Sequence, residues 1–172
     1  MARIIFITGG ARSGKSRLAE KLAESFGSPL CYVATGEARD PEMTDRIAAH
    51  RARRGEEWQT IEEPRNLVER LRSADGSYQA VLVDCITLWI SNLLLHYGTA
   101  DPVLEEVQAL VEAIKDCATP LIFVSNEVGM GIVPENALAR TFRDLAGNAN
   151  QLLAAAADEV YVTFSGIPLK LK

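Results

Sequence analysis

Nowhere in the 172 residues does an apolar run reach the roughly 18 residues that a membrane-crossing helix needs, so the sequence offers no membrane span. Positive charge is not in excess either: 18 lysines and arginines stand against 23 acids, a formal net charge of −5. A general nucleic-acid binder needs a basic field, so no nucleic acid is expected as a partner and any anion binding has to be local. Cysteine is scarce. Cys31, Cys85 and Cys117 are odd in number, widely spaced and set in apolar runs such as PLCYVAT and VLVDCITLWI. That pattern argues against a disulfide framework or a paired zinc site and fits buried free thiols in the cytoplasm. The opening MARIIFITGG has too short an apolar run for a secretory signal and moves straight into glycines. With no repeat, low-complexity tract or linker, and 48% of residues hydrophobic, residues 1–172 read as one domain able to bury its own core.

Short β-branched runs alternate with longer helical patterns, which predicts an α/β fold with a mostly parallel sheet and flanking helices. Strands are expected at 3–8, 30–34, 58–62, 80–84, 121–125 and 159–164, with PLKLK as a short final strand. Helical periodicity covers 15–25, 41–53, 64–73, 87–96, 103–116 and 136–156. The fifth of these reads as capped by Asp101 with Pro102 at its first position. Gly147 is a tolerated weak point in the sixth.

The strand RIIFIT runs into GGARSGKS, which satisfies G-x-x-x-x-G-K-[ST] through Gly9, Gly14, Lys15 and Ser16, and a helical pattern follows at once. Strand, glycine loop and helix is the context in which backbone N–H groups cradle phosphate oxygens at the positive end of a helix. Lys15 would neutralise the terminal phosphate charge and Ser16 would ligate Mg²⁺. The apolar strand AVLVD ends in Asp84, where a P-loop protein places the carboxylate that holds the hydrated metal. Asp84 can equally cap the helix beginning near Ile86, and only the nearby phosphate loop favours the metal role.

RIAAHRARR, residues 46–54, packs four arginines and one of the two histidines into nine residues without an acid. On its own, a helix with Arg46, His50 and Arg54 at four-residue steps is a solvated face. Beside a nucleotide it admits sharper chemistry. Neutral imidazole can attack the α-phosphorus and release pyrophosphate, while the arginines stabilise the growing phosphoryl charge and help keep free His50 unprotonated. His96, in LLLHYG, reads as a helix C-terminal residue where partial positive charge is welcome. The glycine-bearing NEVGMGIVPEN follows a strand, so Asn126 and Glu127 are candidate substrate contacts, with the alternative that Asn126 holds the loop's own backbone.

The sequence resembles the bifunctional adenosylcobinamide kinase / adenosylcobinamide-phosphate guanylyltransferase family of cobalamin assembly. The matching segments are ITGGARSGKSRLAE, YVATGEARDPEMTDRIAAHRARRGEEWQTIEEP, LVDCITLWISNLL, VSNEVGMGIVPENALARTFRDLAGNANQLLAAAADEVY and SGIPLKLK, nearly the whole chain. The resemblance implies a P-loop NTPase-like fold and two reactions. ATP or GTP phosphorylates adenosylcobinamide, and GTP then donates GMP to the product through a histidine at the position of His50. It further implies nucleotide contacts at Gly9, Gly10, Ala11, Arg12, Ser13, Gly14, Lys15 and Ser16, then at Ala34, Thr35 and Gly36, at Arg51, Ala52, Arg53 and Arg54, and at Glu62 and Asp84. His50 and Lys15 are the catalytic pair in this reading, and Mg²⁺ sits on Ser16 and Asp84. The corrinoid is a partner, and a homo-oligomer, a trimer among the options, is suggested. Two rivals remain on the residues alone: a plain P-loop small-molecule kinase, for which His50 is surface decoration, and a nucleotide-sensing switch that ignores corrinoids.

Overall fold

A computed structural model describes residues 2–37, 48, 52 and 54–172. In chain order the elements are β1 (Ile4–Gly9), α1 (Lys15–Glu24), β2 (Leu30–Ala34), β3 (Trp58–Glu62), α2 (Leu67–Ala74), β4 (Ala80–Asp84), α3 (Ile86–Tyr97), α4 (Ala100–Lys115), β5 (Leu121–Val124), α5 (Ala137–Ala156), β6 (Glu159–Phe164) and β7 (Ile167–Lys170). The strands form one seven-stranded sheet among the described residues, in the order β3-β2-β4-β5-β1-β6-β7. Every neighbouring pair is parallel except β6 with β7.

Strands such as IIFITG and AVLVD are almost continuously apolar because both faces of this sheet are covered. Alternation along each strand sorts the side chains into two cores. Ile5, Ile7, Leu30, Tyr32, Leu82, Ile122 and Val124 pack with Ala19 and Ala23 of α1. Phe6, Val33, Val81, Val83, Leu121 and Phe123 face the other way, onto Leu71, Trp89, Ile90, Leu110 and Leu153 of the remaining helices. All three cysteines are free and buried. Burial pushes the Cys31 thiol up to about 11, against the pull of Arg70, so it is a packing group rather than a nucleophile.

The first six strands stand within one residue of where the apolar runs predict them, the first at 4–9 instead of 3–8 and the fifth ending at 124, and the final one spans Ile167–Lys170 instead of 168–172. The helix expected over 41–53 falls outside the described residues apart from Ala48 and Ala52, both helical. Two details of α4 and α5 differ from the sequence pattern or qualify it. Thr99, not Asp101, is the N-cap of α4, so Asp101 and Pro102 lie inside its first turn. Proline fits there because first-turn N–H groups have no intrahelical acceptor, and Asp101 meets the positive end of the helix. Gly147 does not interrupt α5, and a Cβ added to it would meet nothing within 4 Å.

The order of strands puts the carboxyl ends of β1, β5 and β4 side by side. Ligands of open parallel sheets bind along that edge.

Candidate active site

Between the end of β1 and the start of α1, Gly10, Ala11 and Arg12 form an exposed rim over a buried Ser13. Gly9 has φ +147°, and a Cβ there would lie 2.5 Å from the Thr163 carbonyl oxygen. Gly14, at φ +99°, is the N-cap of α1, with no side chain capping the helix and no acid in its first turn. The N-terminus of α1 is therefore left to an anion. Three contacts fix the loop. Ser13 Oγ shares a hydrogen bond with Thr163 Oγ1 at 2.7 Å, Gly166 N–H donates to Ser13 O, and Glu127 N–H donates to Gly9 O. Lys15 is buried and folds back over the loop, its Nζ donating to Gly10 O at 2.5 Å and to Ser13 Oγ at 3.4 Å.

Ser16, one residue further into α1, donates its hydroxyl to Asp84 Oδ2 at 2.7 Å, and Tyr32 Oη donates to the same oxygen at 2.9 Å. The capping alternative for Asp84 is thereby removed. Cys85 is the N-cap of α3 and no side chain caps it, because the Asp84 carboxylate is turned toward the phosphate loop. A hydroxyl and a carboxylate at this spacing are the hard oxygen donors that suit Mg²⁺, which takes one or two protein oxygens and completes its shell with water and phosphate. Among the described residues no group of three or more His, Cys, Asp or Glu offers an all-protein cage.

The parallel register lines up Glu62, Ala34 and Asp84 at the ends of β3, β2 and β4. Thr35 follows Ala34 and is fully buried. Its hydroxyl donates to Cys85 O and accepts from Cys85 N–H, while its carbonyl accepts from Asn92 Nδ2. Thr35 thus bolts the β2 end to the start of α3. Gly36 lies against Leu88, whose Cδ1 would be 3.3 Å from an added Cβ. Glu62 is exposed at the rim of the row.

The basic segment is described at Ala52, which is exposed, and at Arg54; His50, Arg51 and Arg53 lie outside the described residues. Arg54 is no solvated arginine. Its guanidinium stacks 3.5 Å over the Tyr32 ring, lies 3.8 Å from Glu20 Oε1 and donates to Thr60 Oγ1 at 3.4 Å, with only 4% of its side chain exposed. Arg54 Nε and Nη1 are buried without a hydrogen-bond acceptor among the described residues. Burial first, and then the Asp84 charge, push the Tyr32 phenol well above its ordinary value even though Arg54 pulls the other way. Tyr32 therefore stays neutral and keeps donating to Asp84.

The two candidate substrate contacts, Asn126 and Glu127, lie in the β5–α5 loop, and both are half-buried. Glu127, not Asn126, holds the loop's own backbone, its Oε1 accepting from Gly129 N–H at 2.8 Å. His96 is in the last turn of α3, as the sequence pattern predicts, and its Nδ1 lies 2.9 Å from Arg65 Nη1. Sequence patterns give no notice of Thr163, Gly166 and Tyr32, which brace the glycine loop and Asp84. Tyr32 reads as one more apolar strand residue in LCYVA, and the other two are near Gly9 only after folding.

Residues 5–171 match the family described as cobinamide kinase / cobinamide phosphate guanyltransferase. The chain belongs to this family. It is 45% identical to the bifunctional adenosylcobalamin biosynthesis protein CobU of Escherichia coli K12, over 98% of this chain and 99% of that one. It is 47% identical to the bifunctional adenosylcobalamin biosynthesis protein CobP of Pseudomonas aeruginosa PAO1, over 96% and 95%. Solved structures with the same fold include the RadB recombinase (TM-score 0.55, 16% identity, covering 93% of this chain and 73% of that one). A KaiC-like protein from Pyrococcus horikoshii OT3 is similar at TM-score 0.52 and 16% identity, covering 93% and 70%. The fold is that of a P-loop NTPase. Family membership sets aside the nucleotide switch and the plain kinase, because the cobinamide family runs two reactions.

Proposed function

We propose that this bifunctional kinase and guanylyltransferase passes GMP through His50, using a nucleotide whose phosphates rest on Gly9–Ser16. The observation that carries the proposal is the seat of Arg54. Four residues of chain span at most about 14 Å, so the His50 Cα is tethered within that reach of the Arg54 Cα, whose guanidinium is stacked on Tyr32. Tyr32 and Ser16 in turn share Asp84, so the tether is fastened to the metal side of the phosphate loop.

In the kinase step, Lys15 swings from Gly10 O to the phosphates and neutralises the charge that builds as the nucleoside diphosphate departs. Ser16 and Asp84 would hold Mg²⁺, which supplies further charge neutralisation and in-line alignment. In the transferase step a neutral His50 nitrogen forms a bond to the α-phosphorus of GTP, and the bond from that phosphorus to the pyrophosphate oxygen breaks. The phosphate of the corrinoid then attacks the same phosphorus, the N–P bond breaks, and imidazole is regenerated. Arg54 Nε and Nη1, which have no hydrogen-bond acceptor among the described residues, suit a phosphoryl oxygen, as do Arg51 and Arg53 in this reading. Ala34, Gly36 and Glu62, at the neighbouring strand ends, would meet the nucleoside.

The whole chain acts as one domain in this proposal, working in the cytoplasm, where three free thiols remain reduced. We infer a homo-oligomer as well. Met130, Ile132 and Val133 of the β5–α5 loop and Phe164, Ile167, Leu169 and Leu171 around β7 are exposed apolar side chains that an interface would cover.

Incubation with GTP labelled at the α-phosphate tests the central step. Acid-labile label is expected on the protein and none on His50→Ala. Equal labelling of both removes the histidine from the mechanism.

A further inference from the structure

We propose that Asn126 is a catalytic residue of the kinase half-reaction, its side-chain amide holding the γ-phosphoryl group during transfer to the corrinoid hydroxyl. The proposal rests on the nucleotide's phosphates lying on Gly9–Ser16. It starts from an imbalance: the peptide around Asn126 is fixed on every side, and the side chain is not. Asn126 N–H donates to Thr87 Oγ1 at 2.7 Å, and its carbonyl accepts from Asn150 Nδ2 at 3.3 Å. Thr87 and Asn150 are joined through Ser125, whose Oγ lies 3.1 Å from Thr87 Oγ1 and donates to Asn150 Oδ1 at 2.6 Å. Thr87, Ser125 and Asn150 are buried, on the face of the sheet packed by α3 and α5. A buried polar network costs desolvation and in return fixes geometry, and here the geometry it fixes is one peptide.

Register shows which side that peptide presents. Asp84 is paired with Val124, and Val124 with Ile7. Beyond Val124 the ladder to β1 continues, Ser125 N–H donating to Ile7 O and Glu127 N–H to Gly9 O, both at 2.9 Å. The chain is therefore still extended at Asn126, and alternation puts its side chain on the face of Val124 and Asp84, the face of α1 and the phosphate loop. Asn126 stands at the carboxyl end of the strand between Asp84 and Gly9, half-buried, and among the described residues no hydrogen bond engages its carboxamide.

A neutral amide suits this place. In the transfer the hydroxyl oxygen of the corrinoid bonds to the γ-phosphorus, and the bond from that phosphorus to the bridging oxygen breaks. Its electron pair leaves with the nucleoside diphosphate, and the hydroxyl proton passes to solvent. Throughout, the phosphoryl oxygens stay anionic. Nδ2 donates to one of them without adding charge, and a carboxylate of the same shape would repel it.

The test measures phosphorylation of adenosylcobinamide by ATP, affinity for a non-hydrolysable ATP analogue, and the thermal midpoint. Asn126→Ala should lower kcat about 100-fold, the scale of losing one such donor, while analogue affinity stays within about threefold and the midpoint holds. Asn126→Asp, matched in shape, should be at least as slow. The proposal is overturned if either variant keeps kcat within about threefold, or if affinity falls in step with kcat, which marks a binding role only. Lys15→Ala separates the two levels. If it also leaves kinase activity intact, the phosphate-loop reading itself has failed; if it abolishes activity and Asn126→Ala does not, only the role of Asn126 has.

Discussion

Tyr32 engages two charged groups with one side chain, donating its hydroxyl to Asp84 while its ring carries the Arg54 guanidinium. The two jobs can be separated. Tyr32→Phe keeps the ring and loses the donor, so it should cost about 1 kcal/mol of stability and raise the Mg²⁺ concentration needed for half-maximal activity, as read by a metal titration. Tyr32→Leu removes the ring as well and leaves a 96%-buried guanidinium with a distant carboxylate as its main partner. It should lower the thermal midpoint well beyond Phe, and equal midpoints for the two variants would count against the stacking contact. Legibility at this scale follows from locality. Ser16 is readable because it sits at a fixed place in a local motif, whereas Asp84 reads equally as a helix cap until the fold sets it against Ser16. The roles of Asn126 and Glu127 are not readable, since residue type alone cannot say which of two adjacent polar side chains closes back on its own backbone.

At the scale of elements, the phosphate loop shows how much a motif hides. GGARSGKS presents Gly9 and Gly10 as equals. In the folded chain a Cβ on Gly9 would drive into the Thr163 backbone at a φ that L-residues avoid, whereas one on Gly10 meets nothing within 4 Å. Gly9→Ala should therefore lower stability by at least 1–3 kcal/mol, roughly the cost of such strain, and Gly10→Ala should leave the thermal midpoint unchanged, in parallel melts without nucleotide. The central strands β1, β2, β4 and β5 were legible because burial on both faces forces unbroken apolar runs. The start of α4 was not. Asp-Pro is a strong opening signal, but it fits the first turn in more than one frame, and Thr99 decides which.

For the whole molecule, the sheet edge beyond β1 is held by charge. Glu159, on β6, accepts from Lys170 and Tyr161 and pairs with Arg3, which precedes β1. Hydrogen bonds from Lys170 and Tyr161, the larger causes, bring its carboxyl from the ordinary 4.5 down to about 2. A depressed folded-state value means stability that is fully present above 4.5 and is lost as pH falls toward 2. Glu159→Gln should lower the thermal midpoint at neutral pH and flatten its fall across that acid window, and an unchanged acid slope would show that other carboxylates govern it. The overall α/β order was written in the alternation of runs, but the pairing of β6 and the β6–β7 turn with the loop after β1 could not be, because it joins residues that share no local pattern.

Synthesis has its own stake in that pairing. Ser13 and Thr163 are 150 positions apart, so a ribosome will have made the complete glycine motif long before it makes the residues that brace it. A nascent chain at that stage carries the nucleotide signature without a firm nucleotide pocket. Ligand capture should therefore arrive late, as a report that β6 and β7 have docked, and GTP should protect full-length nascent chains from protease while leaving shorter ones exposed.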